Sequence, residues 1–402
     1  MTHIVMKFGG SSLADTQKIK EVARLIIERK KETKNVVVVV SAMGKTTNQL
    51  IEMANEISLL PNKREMDVLL ASGEQVSISL LSMALHSLDQ ESISLTGWQA
   101  GIKTYGNSMK QRIKDIDTSR ISQEHQRGKI VIVAGFQGYD EDDNISTLGR
   151  GGSDTSAVAL AVALNCPCEI YTDVDGIYTA DPRIVKNAKV ISRISYEECM
   201  EMASLGAKVI EARAVDLGSR FGIPIKIALN TGQGQGTIIE KGKKDMLEEN
   251  VINNVSVLDN VVLFNVNNFG KEPRQVLKLF EYFANNDINI DVISQNFNDD
   301  ISFTSKKEDL EDVKTVISKF TDHKYQYKDD VIKVSVIGNG MRYQSGVAAK
   351  VYEVFTNEDV KFYQVSTSEI SISYIVDQCN KEKIVTALAK TFDLEKGDHH
   401  EY

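Results

Sequence analysis

The chain has 402 residues, of which 42% are hydrophobic and 26% charged, a balance typical of a soluble protein with more than one buried core. The formal net charge is -9, with no block of lysine and arginine to offset it, which disfavours nucleic acid or an anionic membrane as a partner. No stretch approaches the roughly 20 apolar residues of a membrane span, and the amino terminus lacks the order of a signal peptide, so we expect a cytoplasmic protein.

Apolar strands and amphipathic helices alternate from the amino terminus onward. His3–Phe8 has the pattern of a short strand, and Val36–Val40 has that of a strand buried on both faces of a parallel sheet. Between the two, Ile19, Val22 and Ile26 fall on one face of a predicted helix. Strands separated by helices predict an α/β sandwich, in which ligands bind at the carboxyl ends of the strands.

The same alternation continues along the next part of the chain. Lys129–Ala134 and Glu169–Thr172 are predicted strands, and the alanine- and leucine-rich run Ala157–Leu164 is a predicted buried helix. A glycine-rich loop, Gly232–Gly236, and a short predicted strand, Thr237–Glu240, then precede a polar segment. We place the end of the first domain at this change of composition.

A weak internal repeat follows the polar segment. Phe283 and the residues after it resemble Phe355 and its successors, 72 positions later, and Ile293 corresponds to Val365. Each copy reads strand, helix, strand, strand, helix, and Val331–Ile337 opens the second copy. The repeat predicts two small α+β units of the split βαβ type.

The cysteines do not indicate a disulfide framework or a zinc site. Four cysteines in so long a chain are too few for a framework, and none of the six histidines is suitably spaced to complete a metal site. We interpret Cys166, Cys168, Cys199 and Cys379 as buried thiols, and we assign no metal ligand from the protein.

Two glycine-rich loops indicate a phosphate site. Lys7–Ser12 places a lysine at a strand end, followed by two glycines and a predicted helix, and Thr147–Asp154 repeats this order with arginine and aspartate. Gly44-Lys45-Thr46 is not a P-loop because Val39 occupies the position of the first glycine, and the second loop lacks the spacing of a dinucleotide fingerprint. The alternative for each loop is a tight turn or a helix cap.

The whole set of motifs resembles the aspartate kinases of the amino-acid-kinase superfamily, and the duplicated tail resembles their paired ACT regulatory modules. The motifs that carry this resemblance are Lys7–Ser12 (KFGGSS), Ser41–Asn48 (SAMGKTTN), Ser72–Ser77 (SGEQVS), Gly149–Thr155 (GRGGSDT), Tyr171–Arg183 (YTDVDGIYTADPR), Gly206–Val209 (GAKV) and Val365–Ser373 (VSTSEISIS).

The resemblance implies a three-layer α/β/α amino-acid-kinase sandwich followed by two ferredoxin-like (βαββαβ) ACT modules. We predict a catalytic domain at 1–240, a linker at 241–250, a first ACT module at 251–328, a second at 329–395 and a tail at 396–402. As an alternative, Val251–Val262 pairs with the second module.

The activity that the resemblance implies is ATP-dependent phosphorylation of the side-chain carboxylate of L-aspartate, opening the route to lysine, threonine and methionine. A carboxylate with an ordinary pKa near 4 is already ionised at neutral pH and needs no general base. The obstacle is the approach of two anions, so catalysis should consist of cation placement and in-line positioning.

The roles of individual residues follow from the matching family positions. The implied catalytic residues are Lys7, Asp154 and Lys208. Those implied for aspartate are Ser41, Thr47, Glu74, Arg150, Gly151, Gly152, Ser153 and Asp154, with Arg150 on the α-carboxylate and Glu74 on the α-ammonium. Those implied for ATP are Lys7, Phe8, Gly9, Gly10, Thr172, Asp173, Tyr178, Asp181, Arg183, Lys208 and Val209, with Mg²⁺ held mainly by the phosphates.

The ACT modules imply feedback inhibition by an amino acid, with lysine expected, alone or together with threonine. The candidate effector ligands are Asp291, Ser294, Gln295, Asn296, Gly340 and Met341. Lys271 stands where many relatives have an aspartate, which leaves the identity of the effector open. The modules also imply a homodimer or a higher homo-oligomer.

Two other functions compete with this one. The first is another amino-acid kinase of the glutamate type, against which the ACT pair and the Tyr171–Arg183 motif argue. The second is a catalytically silent amino-acid sensor, which would have no need for Lys7, Arg150, Asp154 and Lys208 together.

Overall fold

The computed structural model describes residues 3–149, 151–207, 209–242, 251–321 and 323–395. The chain divides into two compact units, each made of several segments. Unit 1 comprises Met1–Ile177, Val190–Ala203 and Lys208–Asp245. Unit 2 comprises Tyr178–Lys189, Ser204–Ala207 and Met246–Tyr402.

Unit 1 alternates strands and helices, as its sequence pattern predicts. Its strands in chain order are β1 (His3–Phe8), β2 (Asn35–Val40), β3 (Ser92–Leu95), β4 (Ile102–Tyr105), β5 (Arg112–Ile116), β6 (Ile130–Ala134), β7 (Gln137–Tyr139), β8 (Ile145–Thr147), β9 (Cys168–Thr172), β10 (Arg193–Ser195), β11 (Ile225–Leu229) and β12 (Thr237–Glu240). The helices that begin in it are α1 (Thr16–Glu32), α2 (Thr46–Ile57), α3 (Lys63–His86), α4 (Ser119–Gln126), α5 (Gly152–Ala163), α6 (Tyr196–Ser204) and α7 (Ala212–Phe221).

The main sheet of unit 1 has the strand order β10-β12-β11-β9-β1-β2-β6-β3. From β11 to β3 its strands are parallel, and β12 is antiparallel to β11. Alternate residues of a strand point to opposite faces of a sheet, so the uninterrupted run Val36–Val40 must be covered on both sides. All five of these valines are buried, which confirms the prediction.

Helices cover both faces of this sheet. On one face Met6 and Phe8 of β1 share a core with Ile26 of α1 and with Leu81 and Leu85 of α3. On the other face α5 contacts β1, β2 and β9, and it also contacts α7. The result is the predicted three-layer α/β/α sandwich. A small second sheet, β5-β4-β7-β8, completes unit 1.

Contrary to our expectation that no stretch approaches a membrane span, helix α3 is long and apolar enough to cross a membrane by length and composition alone. Half of its most apolar window is buried inside the protein, and the helix contacts α1, β3 and β6. Asp67 and Glu74 are buried along it. These contacts are those of a core helix in a sandwich, and they explain its hydropathy without a membrane.

Unit 2 contains the repeated elements. They are β13 (Asn254–Val266), α8 (Pro273–Asn285), β14 (Ile290–Gln295), β15 (Ile301–Lys306) and α9 (Leu310–Ile317), followed by β16 (Tyr325–Ile337), α10 (Val347–Asn357), β17 (Phe362–Thr367), β18 (Ser371–Asp377) and α11 (Lys381–Thr391). The order strand, helix, strand, strand, helix occurs twice, as the repeat predicts. Phe283 of α8 and Phe355 of α10 are each buried in the core of their own copy.

The two copies share one sheet of order β14-β15-β13-β16-β18-β17. Asn254–Leu258 of β13 pairs with Lys333–Ile337 of β16, and the later part of β13 pairs with both β15 and the start of β16. Register shifts between Leu258 and Leu263 separate the two halves of β13. One long strand therefore contributes to both copies.

Residues Tyr178–Lys189 are built into unit 2, although our predicted boundary groups them with the catalytic domain. The Val255 N–H donates to the Thr179 carbonyl at 2.9 Å, and the Thr179 hydroxyl donates to the Leu394 carbonyl at 2.6 Å. Ala180 and Val185 lie in the same buried core as Phe355 and Tyr374. The segment thus has its partners at the start of β13 and after the end of α11.

Three cysteines are buried and one is not. Burial raises the pKa of the Cys166 and Cys199 thiols to about 12, and Cys168 is fully buried as well. Cys379 is exposed, so the prediction of a buried thiol is wrong there. Cys379 lies in the short turn between β18 and α11, where the chain runs along the surface.

Candidate active site

The carboxyl ends of β1, β2 and β6 meet at one edge of the main sheet. The Ser41 N–H donates to the Phe8 carbonyl at 3.1 Å, and the Gly135 N–H donates to the Val40 carbonyl at 3.0 Å. The Gly44 N–H donates to the Gly10 carbonyl at 3.0 Å. These bonds hold the loop after β1 against the loop after β2, which is where an α/β sheet binds its ligands.

A cavity of about 410 Å³ opens at this edge. It is lined by Lys7, Ser41, Thr47, Asn48, Ile51, Leu70, Glu74, Met109, Phe136, Thr147, Gly149, Gly151, Gly152, Ser153 and Asp154. The described residues that we predicted for aspartate all line it. Arg150, the remaining one, lies outside the described residues.

Lys7 and Asp154 form an ion pair in the cavity wall. The Lys7 Nζ lies 2.5 Å from Asp154 Oδ1, and each side chain is 12% exposed. Asp154 sits in the first turn of α5, where the helix dipole stabilises a carboxylate, and its Oδ2 accepts a hydrogen bond from the Glu211 N–H at 3.3 Å. The carboxylate therefore holds a cation at the end of β1, in little contact with water.

Glu74 brings a second carboxylate into the cavity from α3. Its Oε1 accepts a hydrogen bond from the Ala42 N–H at 3.1 Å, while its buried Oε2 has no hydrogen-bond partner among the described residues. Burial raises the pKa of Glu74 to about 7. A buried oxygen without a partner is costly, so this carboxylate is suited to a cationic ligand.

Gly10 is required by the close approach of the two loops. A Cβ at this position would lie 2.7 Å from the Ala42 carbonyl oxygen, closer than any side chain allows. At Gly9, in contrast, a Cβ would meet only the Lys7 Nζ, at 3.7 Å. Gly10 therefore lets the β1 loop lie directly on the β2 loop.

Several lining residues were not predicted as ligands. Met109 and Phe136 lie on loops and have positive φ angles of 66° and 68°, which no local sequence pattern predicts. Ile51 and Leu70 lie on the sides of α2 and α3 that face the cavity. Each is four residues from a predicted ligand, Thr47 or Glu74, so helical spacing places it on the same face and could have identified it. Asn48 and Gly149 lie within the motifs Ser41–Asn48 and Gly149–Thr155.

The residues predicted for ATP divide between the two units. Thr172 ends β9 and Asp173 follows it. Because β9 pairs in parallel with β1, both residues lie at the same sheet edge as Lys7. The Phe8 side chain is buried and stacks on Tyr171 with ring centroids 4.8 Å apart, which leaves only its backbone for a ligand. Val209 is half-buried, whereas Lys208 lies outside the residues that the structure describes.

Tyr178, Asp181 and Arg183 belong to unit 2. The Arg183 guanidinium contacts Asp181 at 2.7 Å and is largely exposed. This hydrogen bond holds the pKa of Asp181 below its usual value. Tyr178 packs against the apolar core of unit 2, and none of the three is among the residues that line the cavity around Lys7.

The predicted effector ligands in the first copy lie on β14 and the turn after it. Asp291 forms an ion pair with the buried Lys333 of β16, which helps to hold the pKa of Asp291 low against the effect of burial. Ser294 accepts a hydrogen bond from Gln364 Nε2 at 2.9 Å. The Gln295 and Asn296 side chains bond within their own loop, to Asp299 and Asp300.

The predicted ligands in the second copy lie in a short 3-10 turn after β16. Gly340 is buried there, and Met341 packs against the second apolar core. Across the described parts of the chain, no group of three or more His, Cys, Asp or Glu side chains is placed to hold a metal ion.

Comparisons with known proteins agree with this architecture. Residues 2–229 match the model of the amino acid kinase family, and residues 334–392 match that of the ACT domain. An aspartokinase of Bacillus sp. strain MGA3 is 44% identical over 404 residues, covering 97% of each chain.

Two crystal structures of Escherichia coli aspartokinase III share the fold. The complex with aspartate and ADP, an R-state, has a TM-score of 0.80 at 22% identity and covers 96% of this chain and 99% of that chain. The complex with lysine and aspartate, a T-state, has a TM-score of 0.78 at 23% identity and covers 97% and 99%.

Proposed function

The chain belongs to the aspartokinases of the amino acid kinase family, and from this premise we propose how its residues bind the substrates and carry the reaction. The enzyme uses ATP to phosphorylate the side-chain carboxylate of L-aspartate, giving 4-phospho-L-aspartate and ADP. This is the first step in the synthesis of the aspartate-derived amino acids. The observation that carries our assignment of roles is the Lys7–Asp154 ion pair in a cavity that also contains Glu74.

Lys7 is the cation on which the reaction depends. The aspartate side chain, with an ordinary pKa near 4, arrives ionised, so the protein need not remove a proton from it. The γ-phosphoryl group is also anionic, and charge spreads over its oxygens in the transition state. The Lys7 ammonium at the end of β1 neutralises that charge where the two anions meet.

Asp154 positions Lys7 and is not a general base. Its Oδ1 contacts the Lys7 Nζ, and its Oδ2 is held by the Glu211 N–H, so both oxygens are engaged in fixing one geometry. The ion pair is mostly shielded from water, which strengthens its effect on a bound anion. A base would instead need a free oxygen directed at a substrate proton, and this substrate offers none at the reacting carboxylate.

Glu74 recognises the α-ammonium of aspartate. Its unpartnered Oε2 is the group in the cavity most in need of a cationic donor. Ser41 and Thr47 line the same cavity and contribute hydroxyl contacts. Arg150 binds the α-carboxylate, because a guanidinium matches the two oxygens of a carboxylate.

Backbone groups of Gly9 and Gly10 cradle the ATP phosphates, and Lys208 supplies a second cation. Thr172 and Asp173 contribute from the end of the adjacent strand β9, whereas a nucleotide-binding role for Tyr178, Asp181 and Arg183 stays a prediction from the sequence. Mg²⁺ would be held mainly by the nucleotide phosphates and would neutralise part of their charge.

Lysine, alone or with threonine, is the feedback inhibitor. The E. coli relative crystallised with lysine supports this proposal, as does the repeat in unit 2 that resembles paired ACT modules. Inhibition requires that lysine bind the less active state more tightly. We further propose a cytoplasmic homo-oligomer assembled through these modules.

A hydroxylamine trap for acyl phosphate tests the function. The protein is incubated with ATP, Mg²⁺ and either aspartate, glutamate or N-acetylglutamate, and the hydroxamate is measured. We expect product with aspartate only. Product with glutamate alone would indicate a glutamate-type kinase, and no product with any acid would indicate a silent sensor. The same assay with lysine, threonine and both together identifies the effector.

A further inference from the structure

Asp67 is a buried carboxylate next to the active site that none of the roles above uses. It lies in the first half of α3 and is 1% exposed. Its Oδ1 accepts hydrogen bonds from the Met109 N–H at 2.9 Å and from the Thr147 hydroxyl at 2.5 Å. The Ser108 side chain is a further hydrogen-bond partner. A charged group this deeply buried needs such partners.

The partners of Asp67 are the segments that form one wall of the cavity. Met109 and Thr147 both line it, whereas Asp67 itself does not. Thr147 ends β8 and leads into the glycine-rich loop, and a Cβ on Gly149 of that loop would lie 3.0 Å from the Met109 carbonyl oxygen. The turn at Met109 and the start of the loop therefore rest on each other and on one carboxylate.

The same helix also carries a direct substrate contact. Glu74 lies seven residues after Asp67, which is two helical turns, so the two side chains leave the same face of α3. Leu70 stands between them and lines the cavity. Through Asp67, the wall formed by Met109 and Thr147 is fixed relative to Glu74.

We propose that Asp67 is a positioning residue for aspartate phosphorylation, holding the Met109 turn and the glycine-rich loop at Thr147 against α3 so that the aspartate pocket keeps its shape. This inference rests on the proposed function, because it concerns the pocket assigned to aspartate. Asp67 itself does not touch the substrate, and it acts on aspartate binding through Met109 and Thr147.

The alternative is that Asp67 only stabilises the fold. In that case its loss lowers thermal stability and reduces the use of both substrates alike. A positioning residue for the aspartate pocket instead affects aspartate more than ATP, because the Lys7–Gly10 loop does not rest on Asp67. The separate KM values for the two substrates therefore distinguish the roles.

The central test is Asp67→Asn, with Glu65→Gln as the matched control. Asparagine keeps the shape and can keep its oxygen at the Oδ1 position, but its NH2 group then replaces Oδ2, which accepts from the Met109 N–H at 3.2 Å. Two donors then face each other, and the negative charge that binds the wall is lost. Glu65 is an exposed acid on the same helix, so its change removes one charge without touching the wall. We expect Asp67→Asn to lower kcat/KM for aspartate about tenfold to a hundredfold, with KM for ATP within about twofold of wild type.

Thr147 provides a second line of evidence that does not depend on the Asp67 variant folding. Thr147→Ser keeps the hydroxyl donor, whereas Thr147→Val removes it at nearly constant volume. We expect Thr147→Val to lower kcat/KM for aspartate and Thr147→Ser to stay within about threefold of wild type. The double variant Asp67→Asn/Thr147→Val should have a kcat/KM within about twofold of that of Asp67→Asn, because the two residues share one hydrogen bond.

The proposal is overturned if Asp67→Asn matches Glu65→Gln, or if it raises KM for aspartate and ATP in parallel. If Asp67→Asn fails to fold, equal kinetics of Thr147→Val and Thr147→Ser overturn it. Wild-type protein that does not phosphorylate aspartate would instead refute the function itself, so the two failures have different signatures.

Discussion

The Oε1 atom of Glu74 accepts a hydrogen bond from the backbone N–H of Ala42, and this contact joins α3 to the end of β2. It leaves the other carboxylate oxygen buried and without a partner among the described residues. Because one oxygen is fixed by this hydrogen bond, the carboxylate has a defined orientation in the cavity wall. The pocket is thus prepared for a cation before any ligand arrives.

Aspartate affinity should depend on pH through Glu74. Its pKa of about 7 means that near pH 6 only about a tenth of the side chains are ionised. The α-ammonium of aspartate favours the ionised form, so binding releases a proton and weakens as the pH falls. We expect KM for aspartate to rise about tenfold from pH 8 to pH 6.

Glu74→Gln provides the control for this dependence. The variant should bind aspartate weakly and with little change over the same pH range, since the titrating group is gone. A KM for aspartate that is constant with pH in the wild-type enzyme would contradict the role of Glu74.

Replacing Lys7 should abolish most of the activity. Lys7→Ala removes the cation at the meeting point of the two anions, so we expect kcat to fall about a hundredfold or more. Circular dichroism should show a folded protein. Lys20→Ala, at an exposed lysine of α1, is the matched control and should behave as wild type. Similar turnover for the two variants would disprove the assignment of Lys7.

The two glycines after β1 should differ in their effect on stability. Gly10→Ala forces a Cβ against the Ala42 carbonyl oxygen, and we expect it to lower the free energy of unfolding by about 1–3 kcal/mol. The Cβ added by Gly9→Ala has no backbone atom within 4 Å other than those of its chain neighbours, so this variant should change the free energy of unfolding little. Thermal unfolding of both variants checks this, and equal losses would be inconsistent with the geometry.

His125 should make the fold less stable in mild acid. Burial, together with the nearby His3 and Lys30 charges, lowers the pKa of His125, while a hydrogen bond to the Val36 carbonyl opposes this. The unfolded chain therefore takes up the proton more readily, and stability is lost as the pH falls below about 6.5. Glu74 acts in the opposite direction, because its raised pKa favours the protonated native state as the pH falls.

A comparison of variants separates the effect of His125 on acid stability from that of Glu74. The midpoint of thermal unfolding is measured at about pH 7.5 and about pH 5.5 for wild type, His125→Gln and His86→Gln, with Glu74 unchanged in all three. We expect the loss on acidification to be smaller in His125→Gln than in wild type. His86 is exposed, so its variant should follow wild type. Equal losses in all three proteins would rule out His125 as the cause.

The layers of unit 1, and the grouping of distant polar residues around one cavity, could be predicted from the sequence for a physical reason. The valine run of β2 and the apolar face of α1 have few ways to be buried, and loops after parallel strands must meet at one edge. Lys7, Glu74 and Asp154, which are far apart in the sequence, are accordingly found around one cavity.

What the sequence does not predict depends on long-range packing. Nothing local indicates that Met109 and Phe136 adopt positive φ angles at the cavity wall. Nor does the pattern around Tyr178 show that its segment is held by Val255 and Leu394, because those partners lie far along the chain. The register shift within β13 is likewise set by the two copies that it joins.

The path of the backbone between the units limits how this enzyme can be dissected. Among the described residues, the chain leaves unit 1 after residue 177, returns to it after 189, and leaves it again after 203. A truncation after Glu240 would strip Thr179 of its acceptor at Leu394 and leave Ala180 and Val185 without the apolar surface that buries them. Deleting the chain beyond Glu240 would therefore disturb the Tyr178–Lys189 segment as well as remove the regulatory part. Point substitutions are the better route to an unregulated enzyme.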